Sequence, residues 1–418
     1  MRNLIGTVIL FFHGLAVVFG QTQIEVAPPE NIRSVVFQGT NNAAQFPLVQ
    51  LGEKMTLTFD DLYADEADYY YRIIHCNYDW TPSNLIKNQY LDGLDNQRII
   101  QYDNSLASLQ PYTAYRLELP NRFTGFRLSG NYILKIYDNK DQLVFSRRFI
   151  IYKNAVGVGG VAKRPRDFDM INTGQRIEFT VNAGDFDLVN PLQEVKVSIL
   201  QNSNFNTAKH HISPQFISGS QLLYKYEKET SFEGGNEYLN MDTKDIRTAT
   251  NTVAGVELKN RYHHYLYTNE IRRDKIYTYF PDINGDFRVR LGEGVQNDQN
   301  SEADYSFVHF SLDYEPWLGL QDIYVYGKFN NYELLEENKL EFNADNNTLE
   351  TTLFLKQGFY NFKYVIRNPD GSIDYNAISG NHWETENEYL VLVYYRNFGD
   401  MYDSVIGMAN ISSVNISN

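Results

Sequence analysis

Apolar and polar residues alternate with a period of two along most of the chain. The clearest runs have their apolar members at Met55, Leu57 and Phe59; Tyr115, Leu117 and Leu119; Tyr132, Leu134 and Ile136; and Phe145, Phe149 and Ile151. Because successive side chains of a β-strand point to opposite faces, this period predicts strands that each bury one face. Turn-forming clusters such as Asp138–Asp141 separate the runs. The pattern therefore predicts an all-β protein built from tandem immunoglobulin-like β-sandwiches with few short helices.

Two segments rich in glycine and polar residues divide the strand-rich blocks. Gly157–Gly160 is followed by the basic cluster Lys163–Arg166, and a second break falls at Gly292–Ala303. Such segments pack poorly and favour exposed connections between domains. We therefore predict five parts: an N-terminal segment 1–20, a first β-sandwich 21–155, a central β-rich domain with long loops 156–303, a third immunoglobulin-like domain 304–398 and a tail 399–418.

The N-terminal segment has the pattern of a secretory signal peptide. Arg2 provides the positive start, Leu4–Phe19 is almost wholly apolar, and Val18–Gly20 provides residues that a signal peptidase accepts. The apolar stretch is shorter than a typical membrane span, so we expect export without direct membrane insertion. The whole chain carries a net charge of −15, which repels nucleic acid and anionic lipid.

The sequence contains no convincing catalytic or metal-binding motif. Cys76 is the only cysteine, so no disulfide within the chain is possible, and we expect it to be buried. The adjacent pairs His210–His211 and His263–His264 would point to opposite faces of a strand, so neither pair predicts a metal site. We expect Asp282–Phe287 to form a turn at Asn284–Gly285 rather than a calcium loop. No enzymatic activity and no cofactor are predicted.

The most distinctive stretch is Tyr69–Trp80, which reads YYYRIIHCNYDW and is followed by Thr81–Leu85 and Gln89–Gly93. Together with Leu51–Gly52, Phe59–Leu62 and Leu128–Tyr132, it resembles the plug protein of the bacterial type IX secretion system. The resemblance is strong over roughly the first third of the chain and looser beyond it.

This resemblance implies a periplasmic protein without catalytic activity. A plug of this family would dock on the periplasmic opening of a giant outer-membrane β-barrel translocon and close it when no cargo occupies it. Candidate contact residues are Tyr78, Asp79, Trp80 and Arg122 in the family-like segments. Phe232 and Asn236, in a long central loop, are further candidates.

A second hypothesis concerns the third domain, which resembles the small sandwich of starch- and glycogen-binding modules. Lys363 matches a lysine typical of those modules, whereas Ile373 stands where a tryptophan would stack on sugar. Trp383 lies nearby in the sequence. The alternative function is therefore an exported carbohydrate-binding protein that uses Trp383 and Lys363.

Overall fold

The computed structural model describes residues 22–40, 44–292, 299–414 and 416. The predicted signal peptide, residues 1–20, lies outside the described residues. The described chain folds into three β-sandwiches, each with its own buried core.

The first sandwich packs a four-stranded sheet against a five-stranded sheet. Its strands are β1 (Ile32–Gly39), β2 (Leu48–Gln50), β3 (Met55–Asp61), β4 (Tyr70–Cys76), β5 (Leu91–Gly93), β6 (Gln97–Arg98), β7 (Gln101–Asn104), β8 (Thr113–Leu119), β9 (Thr124–Phe126), β10 (Gly130–Tyr137) and β11 (Leu143–Tyr152). The sheet orders are β1-β3-β8-β7 and β2-β11-β10-β4-β6, and β5 pairs with β9 in a separate ribbon. Every apolar residue of the four alternating runs lies in the core between the two sheets. The period-two prediction is therefore confirmed for these strands.

The remaining strands form the second and third sandwiches. They are β12 (Gly157–Lys163), β13 (Gly174–Asn182), β14 (Val195–Gln201), β15 (Asn204–Ile212), β16 (Phe216–Ser218), β17 (Gln221–Tyr224), β18 (Ser231–Glu233), β19 (Leu239–Asp242), β20 (Val253–Leu258), β21 (Tyr262–Leu266), β22 (Phe287–Val289), β23 (Tyr305–Asp313), β24 (Asp322–Tyr326), β25 (Glu341–Asn343), β26 (Thr348–Lys356), β27 (Gly358–Arg367), β28 (Ile373–Asp374), β29 (Glu388–Tyr395) and β30 (Ser404–Ser412).

The second sandwich is discontinuous in sequence. One of its sheets has the order β12-β13-β17-β16, with β18 also on β13, and the other has the order β15-β14-β29-β30. The third sandwich, β19–β28, is thus inserted between β18 and β29. In it, the long strand β27 pairs with β19, β22, β24 and β28, and it faces the sheet β20-β21-β23-β26-β25.

This topology corrects the predicted domain division. The predicted third domain, 304–398, ends with β29, which pairs with β14 of the second sandwich. The predicted tail, 399–418, contains β30, which pairs with β29. The predicted central domain, 156–303, also runs across the junction where the third sandwich begins. Sequence could not place β29, because a strand buried on both faces has the same apolar pattern in either sandwich.

Helices are short and few among the described residues: α1 (Lys87–Tyr90), α2 (Pro191–Glu194) and α3 (Gln299–Glu302). Single 3₁₀ turns occur at Pro316–Leu318, Lys328–Asn330 and Glu336–Asn338. None of the helices in the described ranges has the length and apolar character needed to cross a membrane. Asn284 and Gly285 have φ angles of 55° and 81°, which confirms the predicted turn.

The three sandwiches pack on one another through buried contacts. Between the first and second lies an apolar cluster that contains Trp80, Ile133, Ile150, Leu392 and Tyr394. Cys76 belongs to this cluster with no exposed surface, as predicted, and burial raises the pKa of its thiol to about 12. Between the first and third sandwiches, Asp60 of β3 pairs with Lys356 of β26. Between the second and third, the Asn204 amide donates to the Tyr326 hydroxyl at 3.0 Å.

Candidate binding sites

The turn after β4 contains three of the predicted contact residues and lies against the second sandwich. The side chain of Asn131, on β10, donates to the carbonyl oxygens of Asn77 and Tyr78 at 3.0 and 3.3 Å. The Asn131 Oδ1 atom accepts a hydrogen bond of 2.9 Å from the Tyr394 hydroxyl, on β29. Asn131 is completely buried, so this amide links the turn to the neighbouring sandwich.

Trp80 fills the apolar space between the two sandwiches and is only 4% exposed. Its ring meets the Phe205 ring edge-on at 5.3 Å, and the Arg148 guanidinium lies over it at 4.6 Å. The expectation that Trp80 contacts a partner is therefore corrected. A large aromatic residue after a strand contributes most by filling an internal interface.

Tyr78 also contacts the second sandwich. Its backbone N–H donates to the Asp403 carboxylate at 3.3 Å, and the Lys196 ammonium lies 4.1 Å from the centre of its ring. Asp79 is exposed, and one of its carboxylate oxygens accepts hydrogen bonds from the N–H and hydroxyl of Thr81. Of these three predicted residues, Asp79 is exposed, Tyr78 is half-buried and Trp80 is buried.

Arg122 lies on an exposed face of the first sandwich. Its guanidinium group is 4.4 Å from the centre of the Phe123 ring. Three apolar residues around it are unusually exposed: Leu94 at 71%, Ile100 at 58% and Phe123 at 39%. We name this face the Arg122 surface and define it by Leu94, Arg98, Ile100, Arg116, Arg122 and Phe123.

A groove of about 390 Å³ runs along the Arg122 surface and is rich in positive charge. Its charged lining residues are Lys54, Arg98, Arg116, Arg122 and Glu118. Four cations and one carboxylate line the groove, and Asp68 pairs with Arg98 at 2.7 Å, which leaves a local charge of +2 on a chain whose net charge is −15. Exposed apolar residues beside arginines are typical of protein–protein interfaces. Among the predicted contact residues, Arg122 therefore has the most favourable setting.

The two predicted contacts in the central loop are buried. Phe232 is 4% exposed and its ring lies 5.2 Å from the Tyr389 ring in the second core. Asn236 is 8% exposed, and its amide donates to the Ser379 carbonyl at 2.7 Å. Phe232 belongs to β18 of the second sandwich and Asn236 to the connection that follows it, so the expectation that these two residues form a protein interface is corrected.

The residues of the carbohydrate hypothesis do not come together. Trp383 is half-buried, and the Arg164 guanidinium lies 4.6 Å from the centre of its ring, where a sugar would have to stack. Lys363 instead lines a pocket between the second and third sandwiches, together with Phe232, Asn236 and Ile373. Trp383 is not part of this pocket. This pocket therefore contains only one of the two residues that the alternative function requires.

No cluster of three or more histidine, cysteine or carboxylate side chains suited to a metal ion occurs in the described ranges. His263 and His309 do meet on neighbouring strands, with their ring nitrogens 2.9 Å apart. Burial, with a smaller contribution from the neighbouring His263, lowers the pKa of His309 to about 4. A hydrogen bond between the two imidazoles requires at least one of them to be neutral, in agreement with this lowered pKa.

Comparison with known proteins matches a family model to part of the chain and finds solved structures of similar architecture. Residues 32–153 match the family model described as type 9 secretion system plug protein 1st domain. The matched range begins with β1 and ends one residue after β11, so it coincides with the first sandwich. This match confirms, over these residues, the resemblance to the type IX secretion plug family.

Among solved structures, the crystal structure of a hypothetical protein from Parabacteroides merdae ATCC 43184 superimposes with a TM-score of 0.89. The two sequences are 29% identical, and the alignment covers 94% of this chain and all of the other. The predicted all-β architecture is thereby confirmed. No curated protein matches the chain.

Proposed function

We propose that the protein is a non-catalytic periplasmic plug of type IX secretion. It would dock on the giant outer-membrane β-barrel translocon and seal its periplasmic opening when no cargo is present. The observation that carries this proposal is the family match over the whole first sandwich. The predicted signal peptide supports export to the periplasm.

A rigid body suits such a role. A protein that closes a channel must resist deformation, and its contact surface must exclude water from the channel opening. The buried contacts between sandwiches support this rigidity. The apolar cluster joins the first to the second, and the Asp60–Lys356 pair joins the first to the third. A stable contact with the barrel requires roughly 1,200 Å² of total buried surface, which one face of the first sandwich could provide.

We further propose the Arg122 surface as the docking face. It lies within the domain that matches the plug family, and it combines exposed apolar side chains with arginines. A periplasmic rim or loop of the translocon that carries carboxylates around apolar residues would complement it. Burial of Phe123 and Ile100 would supply affinity, and the arginines would supply orientation.

The double substitution Arg122→Glu with Phe123→Asp should weaken docking by about 30-fold, since loss of a hot spot costs about 2 kcal/mol. The measurement is affinity purification of the tagged protein from detergent-solubilised envelopes, with quantification of the very large barrel that elutes with it. A matched control is Phe168→Asp, because Phe168 is 92% exposed but lies outside the first sandwich. Equal recovery of the barrel with both variants would assign docking to another face. Absence of any barrel with the unsubstituted protein would contradict the plug proposal itself.

Sealing is tested separately in cells that lack the gene. If the protein closes the translocon, those cells should admit a large hydrophilic antibiotic such as vancomycin. Further deletion of the barrel should restore resistance, because the open pore is then absent. Unchanged resistance in the single deletion would refute sealing while leaving docking intact.

A further inference from the structure

Lys363 is a buried cation without a carboxylate partner. It is 8% exposed, and within the part of the chain that the structure describes its ammonium group forms no hydrogen bond or ion pair. The nearest aromatic rings are those of Tyr238 and Tyr375, whose centres lie 5.2 and 5.3 Å away. Burial, with a smaller contribution from the nearby Arg272, lowers the pKa of Lys363 to about 8. Three carboxylates raise the pKa of Lys363 in the opposite direction, although each lies beyond ion-pair distance: Glu233, Asp282 and Asp374.

The pocket in front of Lys363 encloses about 470 Å³ between the second and third sandwiches. We name it the Lys363 pocket. Its walls carry six side-chain amides, those of Gln201, Asn202, Asn204, Asn236, Asn376 and Asn387. Most of their polar atoms already bond within the protein, as when the Asn236 and Asn387 amides donate to the Ser379 and Gly234 carbonyls. Among the described residues, Gln201 Oε1 and Asn376 Oδ1 have no such partner, so these two atoms can accept hydrogen bonds from a polar ligand.

The charge of the Lys363 pocket is opposite to that of the chain as a whole. Lys209, Lys228 and Lys363 contribute three positive charges to its lining, Glu233 contributes one negative charge, and Asp167 pairs with Lys228 at 3.6 Å, which leaves +1. The ligand that this site favours is therefore an anion. A single buried ammonium group flanked by tyrosine rings matches a carboxylate, whereas phosphate is usually held by several cations or by an arginine fork.

We propose that the Lys363 pocket binds a small organic acid whose carboxylate accepts hydrogen bonds from the Lys363 ammonium group. The Gln201 Oε1 and Asn376 Oδ1 atoms of the wall would accept hydrogen bonds from hydroxyl groups of that ligand. A charge-assisted hydrogen bond is stronger in a site shielded from water, and it would compensate the burial of the ammonium group. This inference does not depend on the plug function, because the pocket lies away from the Arg122 surface.

The test is isothermal titration of the protein, residues 21–418, at pH 7 with four probes: glucuronate, succinate, glucose and inorganic phosphate. We expect binding of glucuronate or succinate and no binding of glucose. Preference for glucuronate would identify a hydroxylated sugar acid, and preference for succinate a simple organic acid. Binding of phosphate alone, or of glucose as well as glucuronate, would overturn the carboxylate assignment.

Lys363→Met should weaken binding of the acid at least about tenfold, since it removes the ion that pairs with the ligand. The same substitution should raise the melting temperature of the ligand-free protein, because it removes an unpaired buried charge. A lysine with a purely structural role would give a lower melting temperature instead. Lys363→Gln provides a second variant of similar length should the methionine variant misfold.

The control is Lys228→Met, since the Lys228 side chain is 79% exposed at the same pocket. We expect it to change acid binding and melting temperature only slightly. Undiminished binding by both Lys363 variants, or no acid binding by the unsubstituted protein, would refute the proposal.

Discussion

Replacement of Asp60 by alanine is expected to lower the free energy of unfolding by about 4 kcal/mol, since it removes the carboxylate that pairs with the buried Lys356 ammonium group. The Asp60 carboxylate lies 2.5 Å from the Lys356 ammonium and accepts a 2.6 Å hydrogen bond from the Tyr305 hydroxyl. Asp60 and Lys356 are 4% and 2% exposed, and Tyr305 has no exposed surface. Urea unfolding followed by tryptophan fluorescence measures the loss. Hydrogen exchange of β1 and β26 would show whether the first and third sandwiches separate first.

Two further variants identify the cause of this loss. The double variant Asp60→Asn with Lys356→Met should be more stable than Asp60→Ala, because neither charge is then buried alone. Glu337→Gln should cost under about 1 kcal/mol, because an exposed ion pair contributes little. Glu337 pairs with Arg33 across the same two sandwiches, but their side chains are 38% and 23% exposed. A similar loss from Glu337→Gln and Asp60→Ala would show that burial of the pair is not the cause.

Replacement of Gly130 by alanine is expected to cost about 3 kcal/mol through overpacking of the first core. Gly130 begins β10 with a φ of +156°, and an added Cβ would lie 2.4 Å from Nε2 of His75. The His75 ring cannot move aside easily, because the rings of Tyr132 and Tyr402 lie 4.8 and 5.3 Å from it. The melting temperature and the urea midpoint both report the change.

Gly52→Ala separates backbone strain from steric overlap. Gly52 has a φ of +100°, yet an added Cβ would meet nothing within 4 Å. We therefore expect it to cost only about 1 kcal/mol, from conformation alone. Gly130→Ala combined with His75→Ala should lose less than the sum of the two single changes, because removal of the ring makes room for the methyl group. Strict additivity would refute the proposed overlap.

These two sites also explain part of the family-like sequence. His75 stands in the Tyr69–Trp80 stretch, and Gly130 and Asn131 stand in Leu128–Tyr132, which are far apart in the chain. In the structure Gly130 accommodates the His75 ring, and Asn131 binds the carbonyl oxygens of the turn that leads to Trp80. The motifs therefore maintain the junction between two sandwiches. This is why Trp80, predicted from sequence as a partner contact, lies inside the molecule and Tyr78 is half-buried against the second sandwich.

Candidate surface residues were harder to predict than core residues. Arg122 was identified from its place in a family-like segment, but Leu94 and Ile100 give no signal of exposure in the sequence. An apolar residue in a loop can enter a core or remain in solvent, and long-range packing decides which. The Lys363 pocket is a similar case. Its lining comes from segments between Met170 and Asn387, which only the insertion of the third sandwich brings together.

By itself the sequence determined the local properties of this protein. Alternation fixed which strand faces are buried, and the motifs of the first third indicated the plug family. The tertiary structure decided the rest: the return of β29 and β30 to the second sandwich, the Asp60–Lys356 contact and the burial of Trp80. The physical reason is the sequence separation of the residues that determine each property. Side-chain alternation is a property of a few neighbouring residues, whereas strand partnership and exposure depend on residues hundreds of positions away.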